Sequence, residues 1–140
     1  VRIFISAFIL ITGFFLSSAM AASVEARIDL SQQKMYVYQN GRLKHKWKIS
    51  TGKRGFSTPR GSYRPTRMYK EYYSKKYYNS PMPYSIFFRG GYAIHGTGSI
   101  KRLGSRASHG CVRLHPNNAR KLYTMVKRVG ARNARIRVVK

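Results

Sequence analysis

Residues 26–49 read A-R-I-D-L-S-Q-Q-K-M-Y-V-Y-Q-N-G-R-L-K-H-K-W-K-I. Ala26, Ile28 and Leu30 alternate with Arg27 and Asp29, and Met35 and Val37 alternate with Tyr36 and Tyr38, the period-two pattern of half-buried strands. Asn40-Gly41 is a tight-turn signal, because both residues tolerate positive φ. Beyond it Leu43, His45, Trp47 and Ile49 face one way and Lys44, Lys46 and Lys48 the other, so the stretch predicts a hairpin with a solvated lysine face that discourages edge pairing. His45, alone on an apolar strand face, reads as a packed histidine rather than a catalyst.

Working outward, Ser50-Thr51-Gly52-Lys53-Arg54-Gly55 and Thr58-Pro59-Arg60-Gly61 form a turn-rich connection ahead of a strand predicted over residues 62–68. Residues 69–83 crowd Tyr69, Tyr72, Tyr73, Tyr77 and Tyr78 among lysines and end at Pro81 and Pro83, which predicts a long exposed loop or lid. Two short strands, residues 84–88 and 92–95, flank Gly90-Gly91. One helix follows, opening near Pro116, carrying Leu122, Met125, Val126 and Val129 at helical spacing and stopping at Gly130, before a last strand over residues 134–139. Mostly strands with one late helix argues against a doubly wound parallel sheet and for a mainly β fold, a β-sandwich or barrel with one helix in its C-terminal half.

The 140 residues bound one modest domain, and 43% hydrophobic content excludes a disordered basic tail. With 28 Lys and Arg, the only carboxylates are Glu25, Asp29 and Glu71. That scarcity argues against a two-carboxylate glycosidase, a calcium loop or a two-metal nuclease. The net charge of +25 predicts attraction to polyanions, whether nucleic acid, anionic lipid or acidic envelope polymers, without choosing among them.

Residues 1–21 read as a secretory signal peptide: Arg2, an apolar run from Ile3 to Leu16, then the small-x-small triplet Ala19-Met20-Ala21. The run is shorter than the roughly 20 residues a bilayer needs. Residues 22–140 are therefore expected as an exported domain of the periplasm or cell envelope. In such an oxidising compartment a single cysteine has no internal disulfide partner, which leaves Cys111 a free or intermolecular thiol.

The densest chemistry lies in Ile94-His95-Gly96-Thr97-Gly98 and Ser108-His109-Gly110-Cys111-Val112-Arg113-Leu114-His115. A thiol with a neighbouring imidazole suffices for acyl transfer, since the imidazole takes the thiol proton and returns it to a leaving group. Gly110 permits close approach of a substrate carbonyl, adjacent amides there suit an oxyanion hole, and a backbone carbonyl at or near Gly96 is the expected orienter of the histidine. Metal binding by His95, His109, Cys111 and His115 is conceivable, although the spacing matches no paired zinc pattern. Tyrosines interleaved with lysines also suit a secreted basic polyanion-binding protein.

The pairing of I-H-G-T with S-H-G-C-V-R-L resembles the signature of L,D-transpeptidase (YkuD-like) catalytic domains. The likeness extends to Ile49 through Lys53, to T-P-x-G at Thr58 to Gly61, and to Met82-Pro83-Tyr84, covering roughly residues 24–140. It implies a cofactor-free, monomeric, exported enzyme acting on peptidoglycan tetrapeptide stems, with Cys111 as nucleophile and His95 as general base. It further implies that His109 lines the site, that the Gly96 carbonyl orients the histidine, and that the Gly110 and Cys111 amides bind the oxyanion. Arg113 would hold a substrate carboxylate, with Ser108, Thr97 and Tyr84 on the substrate side. The acyl acceptor is a second stem amine, water, a D-amino acid or an envelope protein, and the surface charge would hold the enzyme on anionic polymers, with no specific nucleic acid.

Overall fold

The computed structural model describes residues 9–14 and 22–140. In chain order the strands are β1 (Val24–Asp29), β2 (Lys34–Gln39), β3 (Arg42–Lys48), β4 (Gly61–Tyr63), β5 (Arg67–Tyr69), β6 (Tyr73–Ser74), β7 (Ser80–Pro81), β8 (Ser85–Arg89), β9 (Tyr92–Gly96), β10 (Val112–Leu114) and β11 (Ala134–Val139), with the helix α1 (Pro116–Val129) between the last two. The Asn40-Gly41 hairpin forms, and His45 and Trp47 share the predicted face, but a register shift at Val37 and Tyr38 pairs Leu43 with Tyr38 and leaves it 52% exposed instead of on that face. Asn40 and Gly41 take φ of 50° and 77° at the turn. The β1–β2 turn is held by Asp29, whose Oδ1 accepts from the Ser31 hydroxyl at 2.7 Å and the Gln32 amide at 2.9 Å.

Two sheets carry the domain. One has the order β3-β2-β1-β11-β4, with β11 returning parallel to β1; the other has the order β10-β9-β8-β5, with β10 parallel to β9. Neither closes on itself, so of the two architectures expected, the open, sandwich-like one is found and the barrel is not. Between the sheets and α1 lies the main core, in which Ile28, Met35, Val37, Ile94, Val112 and Leu114 are at most 1% exposed. Each such burial contributes about 1.5–3 kcal/mol. The helix opens with Pro116 behind His115, whose Nδ1 accepts from the Asn117 amide, and ends at Gly130 with φ of 85°.

Two expectations are corrected. The single strand over residues 62–68 is two strands in different sheets, β4 beside β11 and β5 beside β8. Pro65 stands between them, lacking the N–H that a continuous ladder would need. Residues 69–83 are not plain loop: β6 and β7 pair as a two-stranded ribbon, and Met82 is buried with Phe87 and Ala93 in a small cluster that Tyr72 and Cys111 cover. At the amino end, Arg2 and the triplet Ala19-Met20-Ala21 lie outside the described residues. Among the described residues no helix is long and apolar enough to cross a membrane.

Candidate active site

The parallel ladder of β9 and β10 pairs Ile94 with Val112, His95 with Arg113 and Gly96 with Leu114. Ile94, Val112 and Leu114 point into the main core. Alternation along a strand therefore turns Ala93, His95, Cys111 and Arg113 to the opposite face, so the fold aligns thiol, imidazole and guanidinium on two adjacent strands.

His95 is 6% exposed, and its Nδ1 lies 2.7 Å from the carbonyl oxygen of Gly96. A carbonyl only accepts, so Nδ1 carries the hydrogen and Nε2 keeps its lone pair. Burial lowers the imidazole pKa to about 4; the Gly96 hydrogen bond opposes this and the charge of Arg113 adds to it. For Cys111 burial works in the other direction, raising the thiol pKa, while a backbone hydrogen bond from Ala93 and the charge of Arg113 pull it down. The resting pair at neutral pH is thus a protonated thiol and a neutral imidazole. Gly96 has little room for a side chain, since a Cβ would sit 3.1 Å from both Pro116 Cα and Pro83 Cγ.

Beneath the thiol the loop is bound from several directions. The Ser108 hydroxyl donates to the Cys111 carbonyl at 2.6 Å and accepts the Gly110 N–H at 3.0 Å. Thr58 Oγ1 donates to the Gly110 carbonyl at 2.7 Å and accepts the Gly52 N–H at 3.1 Å. Gly110 takes φ of 121°, and a Cβ there would come 2.5 Å from Cε1 of Tyr92, so the position admits only glycine. Above the loop, Tyr77 stacks on His109 at 4.4 Å and 8° while Phe56 meets it edge-on at 4.9 Å. Desolvation and then the charges of Lys53, Arg113 and Lys76 lower the pKa of His109.

Arg113 is half buried and fixed by its backbone, donating to Ser50 O at 2.8 Å and accepting from Ser50 N at 3.0 Å. Burial lowers its pKa. Among the described residues the one ion pair is Arg137–Glu25, so Arg113 has no internal carboxylate partner and suits an incoming one.

A family profile described as the L,D-transpeptidase catalytic domain matches residues 23–138. The chain belongs to this family. An L,D-transpeptidase from Mycobacterium smegmatis superposes with a TM-score of 0.76 at 25% identity, over 85% of this chain and 59% of that one. One from Stackebrandtia nassauensis gives 0.74 at 25% identity, over 92% and 61%. L,D-transpeptidase 3 from Mycobacterium tuberculosis, solved in complex with a faropenem-derived adduct, gives 0.74 at 18% identity, over 85% and 61%, a likeness of fold. This chain spans about six-tenths of the length of these solved chains. No curated protein matched significantly.

Within this L,D-transpeptidase domain the structure brings Cys111, His95, Gly96, Gly110, Arg113 and His109 together, and it corrects four expected roles. Ser108 has no exposed surface, and its hydroxyl is committed to the Cys111 carbonyl and the Gly110 amide. The Gly110 amide donates to the Ser108 hydroxyl at 3.0 Å and so is not free for an oxyanion. Tyr84 lays its ring against Tyr123 of α1, on the core side of the sheet. Thr97 accepts from the Ser99 amide at 3.0 Å as part of a turn and is buried. His95, His109, Cys111 and His115 do not form a metal site: His115 caps α1, and among the described residues no three His, Cys, Asp or Glu side chains are grouped so as to hold a metal ion. Sequence reading gave no site role to Thr58, which ties two loops, or to Phe56, which flanks His109; Thr58 was marked by its T-P-x-G motif, Phe56 only by its place in a turn-rich stretch.

Proposed function

We propose that this domain is a cysteine-dependent L,D-transpeptidase of the cell envelope, acting on peptidoglycan tetrapeptide stems. Cys111 is the nucleophile, His95 the general base and Arg113 the residue that holds a stem carboxylate. Residues 1–21 serve as the export signal and 22–140 as the catalytic domain. The observation that carries the reading is the alignment of Cys111 with a buried, neutral His95 whose Nδ1 is held by the Gly96 carbonyl. Because both pKa shifts keep the proton on sulfur at rest, the thiol loses it to His95 Nε2 as it attacks.

The attack falls on the carbonyl joining diaminopimelate, or lysine, to the terminal D-alanine. The Sγ–C bond forms, negative charge gathers on the carbonyl oxygen against the Cys111 amide, and the C–N bond breaks as the imidazolium returns its proton to the departing D-alanine amine. The thioester left on Cys111 is then attacked by an amine of a second stem, whose proton passes to His95 and on to the leaving sulfur. Water in that second step would give hydrolysis, and a lysine of an envelope protein would give anchoring. His109, between Tyr77 and Phe56, lines the site.

The test is mass spectrometry of the protein and its Cys111→Ala variant with disaccharide tetrapeptide stems. Cross-linked dimer and released D-alanine are expected from the wild type, with a loss of about ten-thousand-fold in the variant. Tripeptide without dimer would make the enzyme a hydrolase. No turnover and no acyl adduct with the wild type would return a polyanion-binding role to the front. A carbapenem should add its own mass to the folded wild type at Cys111 and leave Cys111→Ala unmodified; an unchanged wild-type mass would count against the reading.

A further inference from the structure

The chain's few carboxylates are largely committed: Glu25 meets Arg137 at 3.3 Å, and Asp29 accepts from Ser31 and Gln32. Among the described residues most of its cations therefore have no carboxylate partner. One group of them surrounds a cavity. Lys46, Lys48 and Lys101 line a space of about 470 Å³ together with Trp47, Ile100, Leu103 and Asn118. It lies where the edge strand β3 meets the loop after β9 and the first turn of α1. No residue of the Cys111 site lines it.

The walls are preformed. Gly104 N donates to Ile49 O at 2.7 Å, tying the loop to the end of β3, and Arg102 N and Leu103 N close tight turns onto Ser99 O and Ile100 O at 3.1 Å each. The volume falls within the roughly 300–1,000 Å³ of small-molecule sites and exceeds what a bare anion fills. Trp47, Ile100 and Leu103 offer apolar surface to a carbon body, and the Asn118 amide offers both a donor and an acceptor to a hydroxyl. The three lysines among the lining residues carry three N–H donors each, with Lys46 Nζ resting 5.6 Å over the Tyr36 ring, and such donors match the several acceptor oxygens of a phosphate better than the two of a carboxylate.

We propose that this cavity binds a phosphate group carried on a polyol or sugar, and so docks the domain on a phosphate-bearing envelope polymer at a site separate from the thiol. The polymer as source rests on the exported role above; the ligand chemistry does not.

Trp47 is the only tryptophan in the chain, so its fluorescence reports this cavity directly. Titration of the whole protein with glycerol 3-phosphate at physiological ionic strength should give a saturable change, at least ten-fold tighter than with inorganic phosphate or glucuronate and absent with glycerol. Combined Lys46→Gln, Lys48→Gln and Lys101→Gln substitutions should weaken binding of glycerol 3-phosphate and of poly(glycerol phosphate) at least ten-fold. Arg120→Gln, Arg128→Gln and Arg135→Gln, which remove the same charge from exposed positions, should weaken it less than two-fold. Equal losses in the two triple variants, no response to glycerol 3-phosphate, or inorganic phosphate or glucuronate binding as tightly would overturn the proposal. So would tighter binding of a single-stranded oligonucleotide, or a parallel loss of turnover on soluble stems in the lysine triple variant. Because fluorescence needs no turnover, a failed transpeptidase assay leaves this test readable.

Discussion

The thiol sits between two regions built in opposite ways. Below it, residues 108–110 are tied from two sides: Ser108 bridges Gly110 and Cys111, and Thr58 bridges Gly52 and Gly110. Above it, the β6–β7 ribbon is held by a short two-pair ladder and by ring contacts, with Tyr73 58% and Tyr78 100% exposed. The floor is over-determined, which is what the proposed nucleophile would need to hold its aim. The roof is held by fewer hydrogen bonds and by exposed rings. Substitutions should therefore cost stability in the floor and alter recognition in the roof.

Gly52→Ala tests the floor most severely. A Cβ at Gly52 would fall on the backbone carbonyl oxygen of Phe56, with the Thr58 amide 3.0 Å away. Backbone on backbone leaves nothing flexible to yield. A loss of about 4 kcal/mol or more by denaturant unfolding is expected, whereas Tyr78→Ala, at a fully exposed ring, should stay within about 0.5 kcal/mol. Similar effects at the two positions would erase the distinction between floor and roof.

His95 tests the floor by its charge. Its pKa is depressed from 6.5 to about 4 in the fold, so between those values the unfolded chain binds the extra proton and stability rises with pH. The contribution is complete above about pH 6.5 and lost as pH falls toward 4, by about 3 kcal/mol for a shift of this size. Thermal unfolding from pH 7 to 4 should show this decline, and His95→Gln should flatten it. The same group predicts that kcat/KM falls only below about pH 4, where the base is protonated. An acid limb near pH 6.5 would mean that His95 is not buried as described.

How much of this was legible beforehand follows from what each feature depends on. The hairpin, the helix from Pro116 and the last strand rest on local periodicity and turn chemistry, and they formed where the pattern put them. Pro65 was visible, but its sending β4 and β5 to different sheets depends on partners, β11 and β8, that sit far along the chain. Ser108 looked like a substrate contact because it neighbours the nucleophile. Its burial is set by Thr51, whose carbonyl accepts the Ser108 amide at 2.9 Å across a long loop closure. The chemistry was readable in Cys and His; which neighbours face the substrate was a question of packing.

Tyr77→Ala sharpens the contrast at its smallest scale. The tyrosine ring covers one face of His109 at 4.4 Å, and desolvation is the leading cause of that histidine's lowered pKa. Removing the ring readmits water and favours the imidazolium, so the pKa should rise toward 6.5. If the ribbon also moves, Lys76 retreats and its repulsion, a lesser cause of the same lowering, weakens in the same sense. Both consequences have one sign, which makes the outcome unambiguous in an NMR titration of the His109 ring protons. The cost in stability should be under about 1 kcal/mol, the scale of a single aromatic pair, with KM for stems shifting more than kcat. A pKa that stays put would show that Tyr77 shields nothing, and that the floor alone sets the electrostatics of this face.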